Sequence, residues 1–315
     1  MTDGGTNEPA AGGPPSAGDP IHGPRYADAP AAPDADATAH RPGDDVFVPL
    51  ARPVVLDART DSPRVHDDVL LSNVTAGRAW VELVLGLLLL LVWIVVAESA
   101  LYVMTLPWRS EGAAPSDDLR TLFIPTVGLR TLGVVGVLAL LLRGPGGGFR
   151  TVGLARSGWG LDALIGVGAT AVAYALMIIL MTVMWLVWPG SFEQLMENGE
   201  RLTGMIPKLH PLLFLPVAIC IGVYEELLFR GFLMTRLRRG TGSWTVAVLV
   251  STGAFTALHA IDQTPLALVA IASLSLVASV VTIRRRSITP AIVTHALFDY
   301  TQFLSLYLQA GETWT

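Results

Sequence analysis

Cysteine occurs once in this chain, at Cys220, so neither an internal disulfide nor a CxxC metal or redox motif is available. Charge is scarce as well: Asp, Glu, Lys and Arg make up 15% of the 315 residues, against about 25% in an average soluble domain. No strongly basic stretch with interleaved aromatic residues occurs, which excludes a nucleic-acid surface. Neither an HExxH pair of zinc ligands nor a GxSxG nucleophile elbow is present. What is abundant is apolar: 52% of the chain, more than a soluble enzyme of this length carries.

The scarce charge is unevenly placed. The first 78 residues hold 6 Arg and 12 Asp or Glu, so the net charge of −5 belongs to that segment. Residues 1 to about 45 are rich in Pro, Ala, Gly and Asp and have almost no bulky apolar side chains to offset chain entropy. Residues 1–78 are therefore expected to be a disordered cytoplasmic tail. The apolar stretch VFVPLARPVVL (46–56) interrupts it as a candidate for membrane-surface or partner contact. No secretory signal peptide is expected, because the first long apolar run begins after these 78 residues.

From 79 to 315 the apolar runs reach the roughly 20 residues that cross a hydrocarbon core of about 30 Å. Seven are expected, near Trp80–Leu106, Leu119–Leu142, Leu161–Trp188, Pro211–Leu237, Gly242–Ile261, Pro265–Ile283 and Ile288–Leu308. Pro and Gly punctuate the connections between them. The fold class expected is all-α, a polytopic transmembrane helical bundle of about seven spans in the cell membrane. Connections carrying Arg143, Arg150 and Arg156, then Arg236, Arg238 and Arg239, then Arg284 to Arg286 alternate with connections poor in positive charge. Basic loops stay cytoplasmic, which puts the N-terminus inside and the C-terminus outside. Trp80, Trp108, Trp185, Trp188 and Trp244 sit near the predicted span ends, where amphipathic rings favour the interface.

A charged side chain at mid-membrane costs at least about 2.5–3.5 kcal/mol on insertion scales, so each one needs a partner or a role. Several lie in the C-terminal third: Glu225, Glu226 and Arg230 in IGVYEELLFRGFL, His259 in FTALHA, and His295 with Asp299 in THALFDY. Glu98 and Arg130 are two more in the first two segments. On a helix, residues four apart share a face while neighbours differ by about 100°. Glu226 and Arg230 can therefore pair, with Glu225 pointing elsewhere. Taken alone, the group fits either a neutralising ion pair with a spectator acid or an arrangement that leaves a desolvated Glu225 to act as general base. His295 and Asp299 also share a face; either they bond structurally to each other or they present donors to a reacting group. Together, two His, two Glu and an Asp on three helices supply a base, a proton carrier and oxyanion donors, which is what amide hydrolysis by water requires.

EELLFRG, FTALH and HALFD, in that order, resemble the EExxxR, FxxxH and HxxxN/D signatures of the CPBP family of intramembrane proteases. That family includes type II CAAX prenyl endopeptidases and bacteriocin-processing or immunity proteins. The similarity covers about residues 207–305, and FRTVGLARSGWGLDALIG is similar to the loop and helix that often precede the signatures. Each motif is short; three in order on three segments are a specific combination. The resemblance implies an intramembrane endopeptidase in which Glu225 and His259 activate water and His295 with residue 299 stabilises the oxyanion, while Glu226 and Arg230 support them. Position 299 is Asp where Asn is commoner. An ionised Asp cannot donate a hydrogen bond, so Asp299 either acts protonated or orients His295. The family has often been labelled a metalloprotease, and Glu and His are able to bind zinc. With HExxH absent, no metal and no other cofactor is expected to be required.

The implied substrate is a membrane protein or peptide in the lipid bilayer. Two other classes compete: a non-catalytic membrane scaffold or immunity protein of the same fold, and a transporter, which would show inverted repeats or matching broken helices that this chain lacks. One geometric difficulty attends the reading. At 1.5 Å per residue Glu225 lies about 21 Å below the outer end of its segment, whereas His259 falls near the outer end of the next. The two meet only if the fifth helix starts deep, if a helix is tilted or broken, or if the segment ends lie elsewhere.

Overall fold

The computed structural model describes residues 74–106, 115–143, 148–154, 158–207 and 209–310. Residues 1–73, which hold nearly all of the expected tail and its apolar stretch, lie outside the described residues, as do Trp108 and Arg156. Helix α1 starts at Ala76, slightly inside the predicted tail boundary, with the Thr75 hydroxyl accepting from the Arg78 amide at 3.2 Å as its N-cap.

Among the described residues the chain is helical, with no strand. Helices α1 (Ala76–Thr105) and α2 (Pro115–Leu141) are followed by a short 3₁₀ turn, Phe149–Val152. Then come α3 (Trp159–Val187), α4 (Ser191–Met205) and α5 (Pro211–Glu226), which runs through a π-helical stretch, Leu227–Leu233, into α6 (Met234–Thr241). Helices α7 (Trp244–His259), α8 (Pro265–Arg285) and α9 (Thr289–Ala310) complete the bundle. Local chemistry sets several ends. Pro211 and Pro265 open α5 and α8 where no amide partner is needed; Gly242, at φ 73°, closes α6 in the left-handed conformation.

Each of the seven expected segments is a helix, but only five are both long and apolar enough to cross a membrane: 76–105, 121–141, 159–187, 211–241 and 265–285. Helix α7 has 16 residues, roughly 24 Å, short of the hydrocarbon thickness. Helix α9 is long enough, with 22 residues, but polar side chains dilute its hydropathy. Helix α4 falls where the sequence suggested only a connection. It is amphipathic and partly seated on the bundle: the Asn198 side chain accepts from the Thr264 amide at 2.9 Å.

Burial separates inner from outer helices. In the most apolar window of α8, 50% of residues are buried, against 22–28% for α1, α2 and α3, whose exposed Val81, Leu88, Leu132 and Leu164 suit lipid. Helix α9 packs on α5, α3 and α8.

The arginine-rich connections gather at one end of the bundle. Arg285 pairs with Asp162 at 2.8 Å, and the Ile288 amide donates to the Gly153 carbonyl at 2.9 Å. Fully buried Arg236 meets Glu82 at 3.0 Å and the Thr151 carbonyl at 3.3 Å. The 3₁₀ turn is thus bound to α6 and to the start of α9, and α1 is bound to α6.

Candidate active site

The acidic pair sits where α5 gives way to the π-helical turn. Such turns insert a residue into the helical ladder and frequently mark functional positions. Here the widened turn runs from Leu227 to Leu233. The Phe229 carbonyl takes the Met234 amide and also the Ser251 hydroxyl of α7, at 3.0 Å. A Cβ on Gly231 would stand 2.9 Å from the Val152 carbonyl oxygen, so only glycine lets the turn lie this close to the 3₁₀ segment.

Glu226 points into the protein. It is fully buried, and its Oε1 accepts two hydrogen bonds of 2.7 Å, one from Arg230 Nη1 and one from His295 Nδ1. The pairing with Arg230 follows the helical spacing; the bond to His295, on α9, was not foreseen. A carboxylate only accepts, so His295 Nδ1 carries the hydrogen. His295 Nε2 is directed at two further carboxylates, Glu225 Oε2 at 3.6 Å and Asp299 Oδ2 at 3.5 Å. Both separations exceed hydrogen-bond length. Asp299 thus shares the face of His295 as the i, i+4 spacing required, without bonding to it directly.

Glu225 turns the other way. Its Oε1 accepts from the Tyr224 hydroxyl at 2.9 Å, while Oε2 is buried with no hydrogen-bond partner among the described residues. His259 Nδ1 lies 2.8 Å from the Phe255 carbonyl one turn earlier. A carbonyl accepts only, so the hydrogen sits on Nδ1 and the neutral ring carries its lone pair on Nε2, where it can take a proton.

The difficulty of depth dissolves in the lengths. From Thr241 back to Glu225 the chain climbs about 24 Å, and from Trp244 forward to His259 about 22 Å. Both helices leave the arginine-rich end together, so the two residues reach the same height. Helix α7 stops there, 16 residues long, while α5 continues past it toward Pro211.

Glu225, His259, His295 and Asp299 line one cavity of about 870 Å³, and fully buried Glu226 and Arg230 stand behind its wall. Phe255, 1% exposed, joins the three sequence motifs from within. Its ring centroid lies 4.7 Å from that of His259 and 5.7 Å from that of His295, with the Arg230 guanidinium carbon 4.5 Å above it. Sequence reasoning missed Phe255 although it opens FTALH, four residues before His259. It also missed Tyr224, beside Glu225, whose hydroxyl has no helical-periodicity signature. Glu98 and Arg130, noted as stray intramembrane charges, pair at 2.6 Å and line the same cavity.

Among the described residues no three His, Cys, Asp or Glu side chains converge as ligands, and Glu226 Oε1 is already engaged by Arg230 and His295.

Residues 207–301 match a protein-family model described as Type II CAAX prenyl endopeptidase Rce1-like. No curated protein and no solved structure gives a significant match to the chain. The matched region runs from just before α5 into α9 and contains all three motifs.

Proposed function

We propose that this chain, whose residues 207–301 match the Rce1-like type II CAAX prenyl endopeptidase model, hydrolyses a peptide bond of a membrane-associated protein or peptide from the cavity that Glu225, His259, His295 and Asp299 line. The observation that carries this reading is the convergence of groups from α5, α7 and α9. An unbonded carboxylate oxygen of Glu225 faces a ring nitrogen of His295 across 3.6 Å, in a cavity large enough for a peptide segment.

In the proposed reaction a water molecule attacks the scissile carbonyl as Glu225 Oε2, with His259 Nε2, takes its proton. Negative charge develops on the carbonyl oxygen. His295 Nε2 donates to it once the ring carries its second proton, and a protonated Asp299 adds a second donor. As the tetrahedral intermediate collapses, the proton taken from water passes to the departing amine nitrogen. Glu226 and Arg230 hold His295 by its Nδ1 side and touch no reacting atom. No step runs through a metal. We further orient the arginine-rich end of the bundle to the cytoplasm, with the N-terminus inside and the C-terminus outside; a reporter fused at the C-terminus and active only outside the cytoplasm reads that assignment.

The deciding experiment compares membrane-protein N-termini and released peptides of cells carrying the native chain with those carrying Glu225→Gln at matched expression. A defined set of cleavage products is expected to vanish in the variant. Identical profiles, together with full rescue of a deletion phenotype by the variant, would overturn the peptidase reading and leave a membrane scaffold.

A further inference from the structure

Tyr224 joins the proposed base to two charged residues on helices outside the family match. Its hydroxyl donates to Glu225 Oε1 at 2.9 Å. The Arg130 guanidinium of α2 interacts electrostatically with the same phenol. Arg130 Nε in turn donates to Glu98 Oε1 of α1 at 2.6 Å. The Arg130 guanidinium donates to Glu98 and the Tyr224 hydroxyl donates to Glu225, with the Arg130 charge acting on the phenol. Glu98, Arg130, Tyr224 and Glu225 all line the cavity.

The geometry around Glu225 gives the chain a purpose. With Oε1 held by Tyr224, the carboxylate plane is set and Oε2 is left without a hydrogen-bond partner among the described residues, turned toward His295 Nε2. The charge of a neighbouring guanidinium polarises a phenol and strengthens the hydrogen bond its hydroxyl donates, because electrostatic interactions are strong at low local dielectric. Glu98 holds Arg130 in place and neutralises it, which lets a cation sit in apolar surroundings.

We propose that Glu98, Arg130 and Tyr224 form a positioning relay that aims the Glu225 carboxylate at its water, so that α1 and α2 complete a catalytic site whose reacting groups come from α5, α7 and α9. None of the three touches the substrate's reacting atoms; each acts through the next. The inference rests on the peptidase reading, and its test is arranged to fail separately from it.

The test uses the full-length chain in lipid nanodiscs and a fluorogenic peptide spanning the cleavage site mapped by the N-terminal comparison. Tyr224→Phe removes one hydrogen bond to a charged group, an effect on the order of tenfold or more. It is expected to lower kcat about tenfold with KM unchanged. Arg130→Gln is expected to lower kcat similarly, and Arg130→Lys to recover part of the loss. The double variant Tyr224→Phe with Arg130→Gln is expected to be no slower than the worse single one, since both act through one bond. Losses that multiply would overturn the relay, as would unchanged kcat in Tyr224→Phe. A rise in KM at constant kcat in Arg130→Gln would also overturn it, assigning Arg130 to substrate binding instead. Tyr224→Phe keeps the ring and its packing, so the fold of at least one variant is secure, and thermal unfolding checks the rest. Two controls in the same assay separate the claims: no cleavage by the native chain defeats the peptidase reading, full activity of Glu225→Gln defeats Glu225 as its base, and loss in Glu225→Gln with an unaffected Tyr224→Phe defeats only the relay.

Discussion

His295 Nδ1 and Glu226 Oε1, on helices 69 positions apart in the chain, are joined by a 2.7 Å hydrogen bond in the buried interior. The same carboxylate oxygen holds Arg230 Nη1 at 2.7 Å. Glu226 is therefore the hinge between the positive group on its own helix and the imidazole on α9, and Glu225 beside it is released to the cavity.

That relationship predicts opposite behaviour from two adjacent glutamates. Glu226→Gln leaves fully buried Arg230 without a counter-charge, and breaking a buried pair from one side costs about 3–5 kcal/mol. The variant is expected to unfold at clearly lower temperature and to lose activity through the released His295 ring. Glu225→Gln, whose Oε2 has no hydrogen bond to lose, is expected to lose activity at nearly native stability. Thermal unfolding in detergent or nanodiscs reads both; equal destabilisation would contradict the division of roles.

The close approach at the π-helical turn predicts a glycine that admits no side chain. In Gly231→Ala the new methyl meets the Val152 carbonyl oxygen at 2.9 Å and the Val152 Cβ at 3.1 Å, both on the main chain or rigidly attached to it. Overpacking of this kind costs about 1–3 kcal/mol. Gly128→Ala, on exposed α2 with nothing within 4 Å of the added carbon, is expected to be neutral or stabilising by up to about 1 kcal/mol. The difference between the two unfolding temperatures is the measurement, and its sign is the prediction.

A metal-independent reaction predicts indifference to chelation. Cleavage of the fluorogenic peptide is expected to survive prolonged treatment with EDTA and with 1,10-phenanthroline at unchanged kcat. Loss of activity that zinc alone restores would require a ligand set other than the one described.

How much was legible beforehand differs between fold and site. Apolar run length places each helix, because in lipid a chain segment satisfies its backbone only by coiling on itself. All seven expected segments accordingly appear, with ends displaced by up to about four residues. Run length alone overcounts the crossing helices: α7 is too short and α9 too polar to join the five that meet both criteria. Helix α4 escaped because its signal is amphipathic periodicity rather than apolar length. In the site, the i, i+4 rule gave the Arg230–Glu226 pair and the common face of His295 and Asp299. It has no reach between helices, so it left open the Glu226–His295 bond, the Tyr224 contact and the Glu98–Arg130 pair.

By itself the sequence determined an all-α membrane chain and the identity of its intramembrane polar residues, because those follow from transfer energies and helical spacing along a single strand. Which of those residues face one another across different helices was decided by the tertiary structure alone. Glu225 and His259 line one cavity because α7, starting at the connection from α6, ends after 16 residues. Glu226 turns from a simple ion-pair partner into the holder of His295 because α9 packs against α5. Both outcomes depend on distances between helices, and those are set by how side chains fill the space between them.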